Sequence, residues 1–170
     1  NNFKVSNNQQ ALDICEALSY LFCKDGISKI NMKIDGKAVS SFENTTIPLS
    51  CITPNLGINN FETSTFDLYQ TSSVLVYNEK EIAGKTYYIP TTTRIQNTNQ
   101  TIDQKVSLLL DHFENNTKVE TTKKSQLNDG LLSIYLSSRI LDNSENISPT
   151  LYSRLEKSFL SLPDVSSVHI

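Results

Sequence analysis

At 170 residues the chain is long enough for one ordinary domain or two small ones. Its hydrophobic fraction is 38%, but charged residues are only 19% and the net charge is -3, so the polarity comes from Asn, Ser and Thr and lacks the high-charge signature of disorder. A mildly acidic chain with scattered lysines has no clustered basic face, which excludes nucleic acid and anionic lipid as partners drawn in by charge.

No stretch approaches the roughly 20 apolar residues that span a bilayer, and no charged-then-apolar signal stands at the start. The chain opens on Asn1 rather than Met and is expected to be a mature or excised piece of a longer protein. In "QQALDICEALSYLFC", residues 9–23, Leu12, Cys15, Leu18 and Phe22 recur at spacings of three and four, which predicts an amphipathic helix stopped at Asp25-Gly26. In "ISKINMKI" Ile30, Met32 and Ile34 alternate with Lys29, Asn31 and Lys33, the pattern of a strand with one wet face. Asp35-Gly36 suits a tight hairpin turn, with "KAVSSF" as the returning strand. Residues 46–73 hold Pro48, Pro54 and Gly57 without sustained periodicity and are expected to be a linker, with "IPLSCI" as a short strand inside it.

Two short strands are predicted around Ala83-Gly84 in "SVLVYNEKEIAGKTYYIP". Pro90 cannot donate to a ladder, so the run "YYIPTTTRI" is expected to be an edge strand bent by its proline. Ile102, Val106, Leu109, Leu110 and Phe113 share one helical face over 101–113, and Asp103 suits the positive end of that helix. A hairpin is predicted across Asp129-Gly130 with "LLSIYL" as its second strand, then a helix over 148–161 opening at Pro149, then a strand over 165–170.

A shift of 138 residues lays "ALSYLFCKDGISKINM" over "LEKSFLSLPDVSSVHI", aligning Ile27, Ile30 and Met32 with Val165, Val168 and Ile170. This internal repeat predicts one unit ending near residue 45 and a second from about 74 to 170. The first would be a helix and hairpin, too little to bury its own apolar face, so exchange of elements between copies is a further expectation. Expected core residues are Leu12, Cys15, Leu18, Phe22, Ile30, Met32 and Ile34 in the first unit. In the second they are Ile102, Val106, Leu109, Leu110, Leu155, Phe159, Val168 and Ile170.

Chemistry is sparse. The two histidines, His112 at a helix end and His169 on the wet side of a strand, have no nucleophile in a recognisable motif beside them, and the five glycines stand singly at turns rather than in a phosphate loop. Asp111 and Glu114 read as a solvated helix end, and Lys29, Lys33 and Lys37 as a small basic strip that keeps a sheet soluble. The triplets at Asn44, Asn99, Asn115 and Asn146 formally permit glycosylation, as chance allows in so Asn- and Thr-rich a chain. Cys15 and Cys23 are about 12 Å apart along one helix at ~1.5 Å per residue, too far for a bridge, whereas Cys15 with Cys51 is left open beside the reading of buried thiols. No catalytic, cofactor or metal residue is assigned. Tyr87, Tyr88 and Arg94 remain as a candidate surface for a glycan or peptide.

In this order the elements resemble the GerM family of sporulation and germination proteins, which carry tandem GerM domains. "VLVYNEKEIAGKTYYIPTTTRI" resembles the family's opening hairpin, and "TIDQKVSLLLDHF" stands at its first helix. "DGLLSIYLSSRIL" resembles its valine-rich strand and "LYSRLEKSFLSLPDVSSVHI" its last helix and strand, while "GINNFETS" falls between domains. Tyr135 stands where the family often has Asp, and Ile140-Leu141 where a Phe is common. The resemblance implies an α+β fold of small mixed sheets with helices on one face, in tandem. Residues 1–45 would be the end of a first domain, 46–73 a linker, and 74–170 a second domain lacking its last hairpin. It also implies a non-catalytic, extracytoplasmic lipoprotein of an endospore-forming bacterium, its domains like the ring-building motif. Such a protein would be anchored in a membrane by a lipid and placed between the mother-cell and forespore membranes. There it would help other envelope proteins to build the channel complex. The alternative is a cell-envelope module that binds glycan or peptide.

Overall fold

The structure, a computed structural model, describes residues 4–50, 52–60, 70–97 and 100–170. The chain forms two compact units, Asn1–Leu68 and Tyr69–Ile170.

The first unit opens on helix α1 (Asn8–Phe22), started by the Asn7 side chain, whose Oδ1 accepts from the Gln10 amide at 2.9 Å. Ala11, Leu12 and Cys15 are buried. Strands β1 (Lys33–Ile34) and β2 (Lys37–Ala38) pair across Asp35-Gly36, both at positive φ, as the hairpin reading expected. Their ladder is only two residues deep, because the preceding stretch pairs elsewhere. The Ile30 and Ile52 amides each donate to the other's carbonyl at 2.8 and 2.9 Å, and Met32 N donates to Leu49 O at 3.1 Å.

The linker expected over 46–73 is therefore different in its described part. Leu49, Ile52 and Leu56, with Phe42, are buried against Leu12 and Cys15. Prolines and single apolar residues hid this from any periodicity, since an irregular segment buries side chains wherever its backbone is anchored. The helix that lacked a partner is thus covered by its own chain, removing the reason for exchange between copies. Two expected core residues are corrected. Phe22 is 55% exposed because the apolar stripe of α1 runs a turn past the core, and Ile34 is 44% exposed because it sits at the hairpin tip.

The second unit begins with β3 (Thr71–Ile82) and β4 (Lys85–Gln96), two twelve-residue strands paired along their whole length across Ala83-Gly84. β3 is longer than the short strand expected, because Thr71 to Ser73 join the ladder without apolar alternation, and the edge strand expected over "YYIPTTTRI" is contained in β4. Pro90 lies opposite Tyr77. The Leu75 and Tyr77 amides both point outward from this ladder, donating to Ser161 Oγ at 2.8 Å and Ser158 Oγ at 2.9 Å. Tyr77 and Pro90 are therefore a non-hydrogen-bonded pair, and the donor that proline lacks would have faced away from β3.

Helix α2 (Ile102–Asp111) starts in a reciprocal capping box between Thr101 and Gln104. Strands β5 (Gln126–Asn128), β6 (Leu131–Ser133) and β7 (Ser167–His169) form a small mixed sheet with β6 central, antiparallel to β5 and parallel to β7. Asp129-Gly130 makes the expected turn, and a side chain at 130 would strike Ser166 Oγ. Helix α3 (Pro149–Phe159) is capped by Ser148 and laid along the outer edge of β3 by Ser158 and Ser161. Val74, Val76, Ile95, Val106, Leu109, Leu132, Leu155 and Phe159 are essentially inaccessible at the centre. The fold class is α+β with small mixed sheets, as expected.

The internal repeat is present, with one refinement. Four of the five buried residues of α1, Leu12, Cys15, Glu16 and Ser19, match buried Leu151, Arg154, Leu155 and Ser158 of α3 at a shift of 139, and left-handed Asp25 matches left-handed Asp164. Half-buried Ile30 and Met32 keep the shift of 138 against Val168 and Ile170. The first copy thus holds one residue more, just after its left-handed aspartate.

Glu16 takes the place of a core leucine. Its carboxylate accepts from the Asn59 amide at 3.0 Å and from the Asn60 side chain, tying α1 to the chain at Asn59-Asn60. Burial pushes its pKa up from 4.5, the Asn60 and Asn59 hydrogen bonds oppose this, and Asp13 adds to it. A raised folded value means that the native state holds the proton more tightly than the unfolded chain. The Glu16 contribution to stability is then full below pH 4.5 and is lost as pH rises through the folded value. In thermal melts between pH 4 and 7 (about the range of carboxylate titration), Glu16→Gln is expected to flatten part of the fall in stability with pH. Identical slopes for the two proteins would refute it. The same burial lifts the Cys15 thiol to about 11, with Glu16 adding to the effect, which makes it an inert filler. Its pairing with Cys51 lies outside the described residues.

Candidate functional site

Past Asn78 the β3–β4 hairpin leaves the core, and every residue from Glu79 to Tyr88 is exposed. At the root of this arm is the polar centre of the second unit. Arg154, 4% exposed, reaches from α3 so that Nε donates to Tyr77 O at 3.0 Å and Nη2 to Asn78 Oδ1 at 3.3 Å and to Glu114 O. Its guanidinium lies 4.6 Å from the centre of the Phe113 ring. Asn78 completes the knot, accepting from the Glu114 amide at 2.9 Å and donating to His112 O at 3.3 Å. Desolvation lowers the Arg154 pKa, and Glu79, Tyr88 and Glu114 counter it. A cleft of about 430 Å³ opens beside it, walled by Glu79, Glu81, Glu114, Asn115 and Asn116.

This arrangement brings carboxylates together, which the sequence did not signal. Glu79 Oε2 stands 3.9 Å from Arg154 Nη1 with its side chain 43% exposed. The pair joins a buried guanidinium to a half-exposed carboxylate at the rim of the cleft. Arg154 uses its fork on main-chain carbonyls and an amide, so its chemistry is that of a clamp joining β3, α3 and the loop after α2.

The residues singled out from the sequence fall apart in space. His112 caps the end of α2 and His169 lies exposed on β7. Asp111 and Glu114 are both exposed. Lys33 faces Ala38 across the first hairpin and Lys37 faces Ile34, so these lysines lie on opposite faces and form no strip. Tyr87 and Tyr88 are 47% and 37% exposed, but as neighbours in a strand they too point to opposite faces. Arg94, whose pKa burial lowers, bonds Thr71 across the hairpin at 2.8 Å, far along the strand from both tyrosines. Thr101 and Ser148, which complete two of the glycosylation triplets, are helix caps; Asn99 lies outside the described residues. Among the described residues no group of three or more His, Cys, Asp or Glu could hold a metal ion, and no helix is long and apolar enough to cross a membrane. Arg154 was missed, although a charge between Leu151 and Leu155 in an apolar stripe is the signal of a buried, partnered group.

No protein-family model matches the chain, and no curated protein matches it. Among solved structures it is similar to the tandem GerMN domains of the sporulation protein GerM from Bacillus subtilis, with a TM-score of 0.75 over 94% of this chain at 21% identity. The chain has the fold of tandem GerMN domains. It spans 60% of the length of that structure. In this GerMN fold the projecting arm is the β3–β4 hairpin, and Arg154 fastens its root.

Proposed function

We propose that this chain is a non-catalytic assembly protein of sporulation. It acts outside the cytoplasm and contributes to the channel complex between mother cell and forespore. The observation that carries this reading is the likeness over 94% of the chain to tandem GerMN domains of a sporulation protein. A second support is the second unit's polar centre, where the buried Arg154 donates to the backbone carbonyls of Tyr77 and Glu114, a structural role that suits an assembly module. Assembly needs only complementary surfaces. The partners on this reading are other proteins of the sporulation envelope and a membrane, held through a lipid anchor N-terminal to these residues.

Deleting the gene in its source bacterium is expected to lower the yield of heat-resistant spores, and a fluorescent fusion is expected to gather at the membranes around the forespore. An unchanged spore yield together with a fusion dispersed through the cytoplasm would overturn the reading.

A further inference from the structure

The exposed arm has two chemically different faces. Residues directly opposed in an antiparallel ladder share a face, and successive residues alternate. Lys80 opposite Tyr87 and Ile82 opposite Lys85 therefore make one face, and Glu79 opposite Tyr88 and Glu81 opposite Thr86 make the other. One side carries two lysines around Ile82 and Tyr87, and the other carries two glutamates around Tyr88. Ile82 and Tyr87 on the lysine face are 48% and 47% exposed and Tyr88 on the glutamate face is 37% exposed, so each face offers apolar area within its charge. The outer edge of β4 is a poor route for strand addition, because Pro90 presents no donor there.

We propose that the arm is a self-association element, in which the lysine face of one copy docks on the glutamate face of the next. The occupant is a second copy of this chain because the two faces are complementary in charge and each has an aromatic ring to cover. The cleft beside Arg154 opens among Glu79 and Glu81, giving an incoming lysine side chain room. Such an interface is head-to-tail: each open assembly keeps one face of each kind free at its ends, so the product is a ring where the rotation closes and a filament where it does not. This proposal rests on the assembly reading and names the partner.

Sedimentation velocity of the full chain over rising concentration, at low and high salt, tests it. Association is expected to grow with concentration and to weaken by about tenfold or more in high salt, where exposed charges are screened. Two charge-reversed proteins, Lys80→Glu/Lys85→Glu and Glu81→Lys/Thr86→Lys, are each expected to lose association alone and to regain it when mixed in equal amounts. Glu79 is kept because it pairs with Arg154. Both proteins should melt as the parent does, since the arm stands clear of the core. A parent that stays monomeric, variants that associate like the parent, or a mixture that stays monomeric would each overturn the proposal. None of these outcomes bears on spore yield or localisation, so the assembly reading stands or falls by its own test.

Discussion

Replacing Phe159 with alanine is expected to lower the stability of the second unit by about 3–5 kcal/mol, read as a shift of the urea midpoint at unchanged slope. Phe159 is fully buried on the last turn of α3, in a cluster with Val74 and Val76 of β3 and Val106 and Leu109 of α2. Its neighbours come from a strand and a helix that are separately anchored, one by a twelve-residue ladder and the other by a capping box, so the cavity has little freedom to collapse. Domains are commonly stable by only about 5–15 kcal/mol. The substitution would remove a large part of that, and an unchanged midpoint would place Phe159 outside the core.

Arg154→Ala is expected to cost about 2–4 kcal/mol, because it strips hydrogen bonds from a charged donor and leaves buried acceptors behind. The Tyr77 and Glu114 carbonyls and Asn78 Oδ1 lose a partner, and Phe113 loses the plane stacked over it. Arg154→Lys should rescue little, since one ammonium cannot reproduce a planar fork that reaches a strand edge and a loop together. The arm offers a second readout: amide exchange at Glu79 to Tyr88 should quicken in both variants, because the root of the hairpin is no longer clamped. A variant with parental stability and parental exchange would show that Arg154 is dispensable to the fold.

Much of the second unit was legible. The helix starts marked by Asp103 and Pro149, the turns at Ala83-Gly84 and Asp129-Gly130, and the stripes through Leu109 and Phe159 are local signals, decided by short-range sterics and hydrogen bonds. Pro90 belonged on an outward edge for the same reason: its missing donor is a property of one residue. The first unit was legible only in part. Its helix and turn declared themselves, yet Leu49, Ile52 and Leu56 did not, because Ile52 and Leu49 are held by isolated backbone bonds to Ile30 and Met32 and Leu56 by a single short turn rather than by a period.

The candidate site was the least legible part. Glu79 and Arg154 are distant in sequence and meet because α3 lies along the outer edge of β3, a placement made by Ser158 and Ser161 against the Tyr77 and Leu75 amides. The Tyr87-Tyr88 pair drew attention as a dipeptide and was divided by strand alternation. By itself, then, the sequence determined the elements, the repeat, the turns and most of the second core, because propensity, capping and amphipathic period act over a few residues. Only the tertiary structure decided which irregular residues close the first core, that a lone arginine is buried, and that the arm's charges sort onto two faces. Those outcomes depend on strand register and on packing between distant segments, which no local pattern encodes.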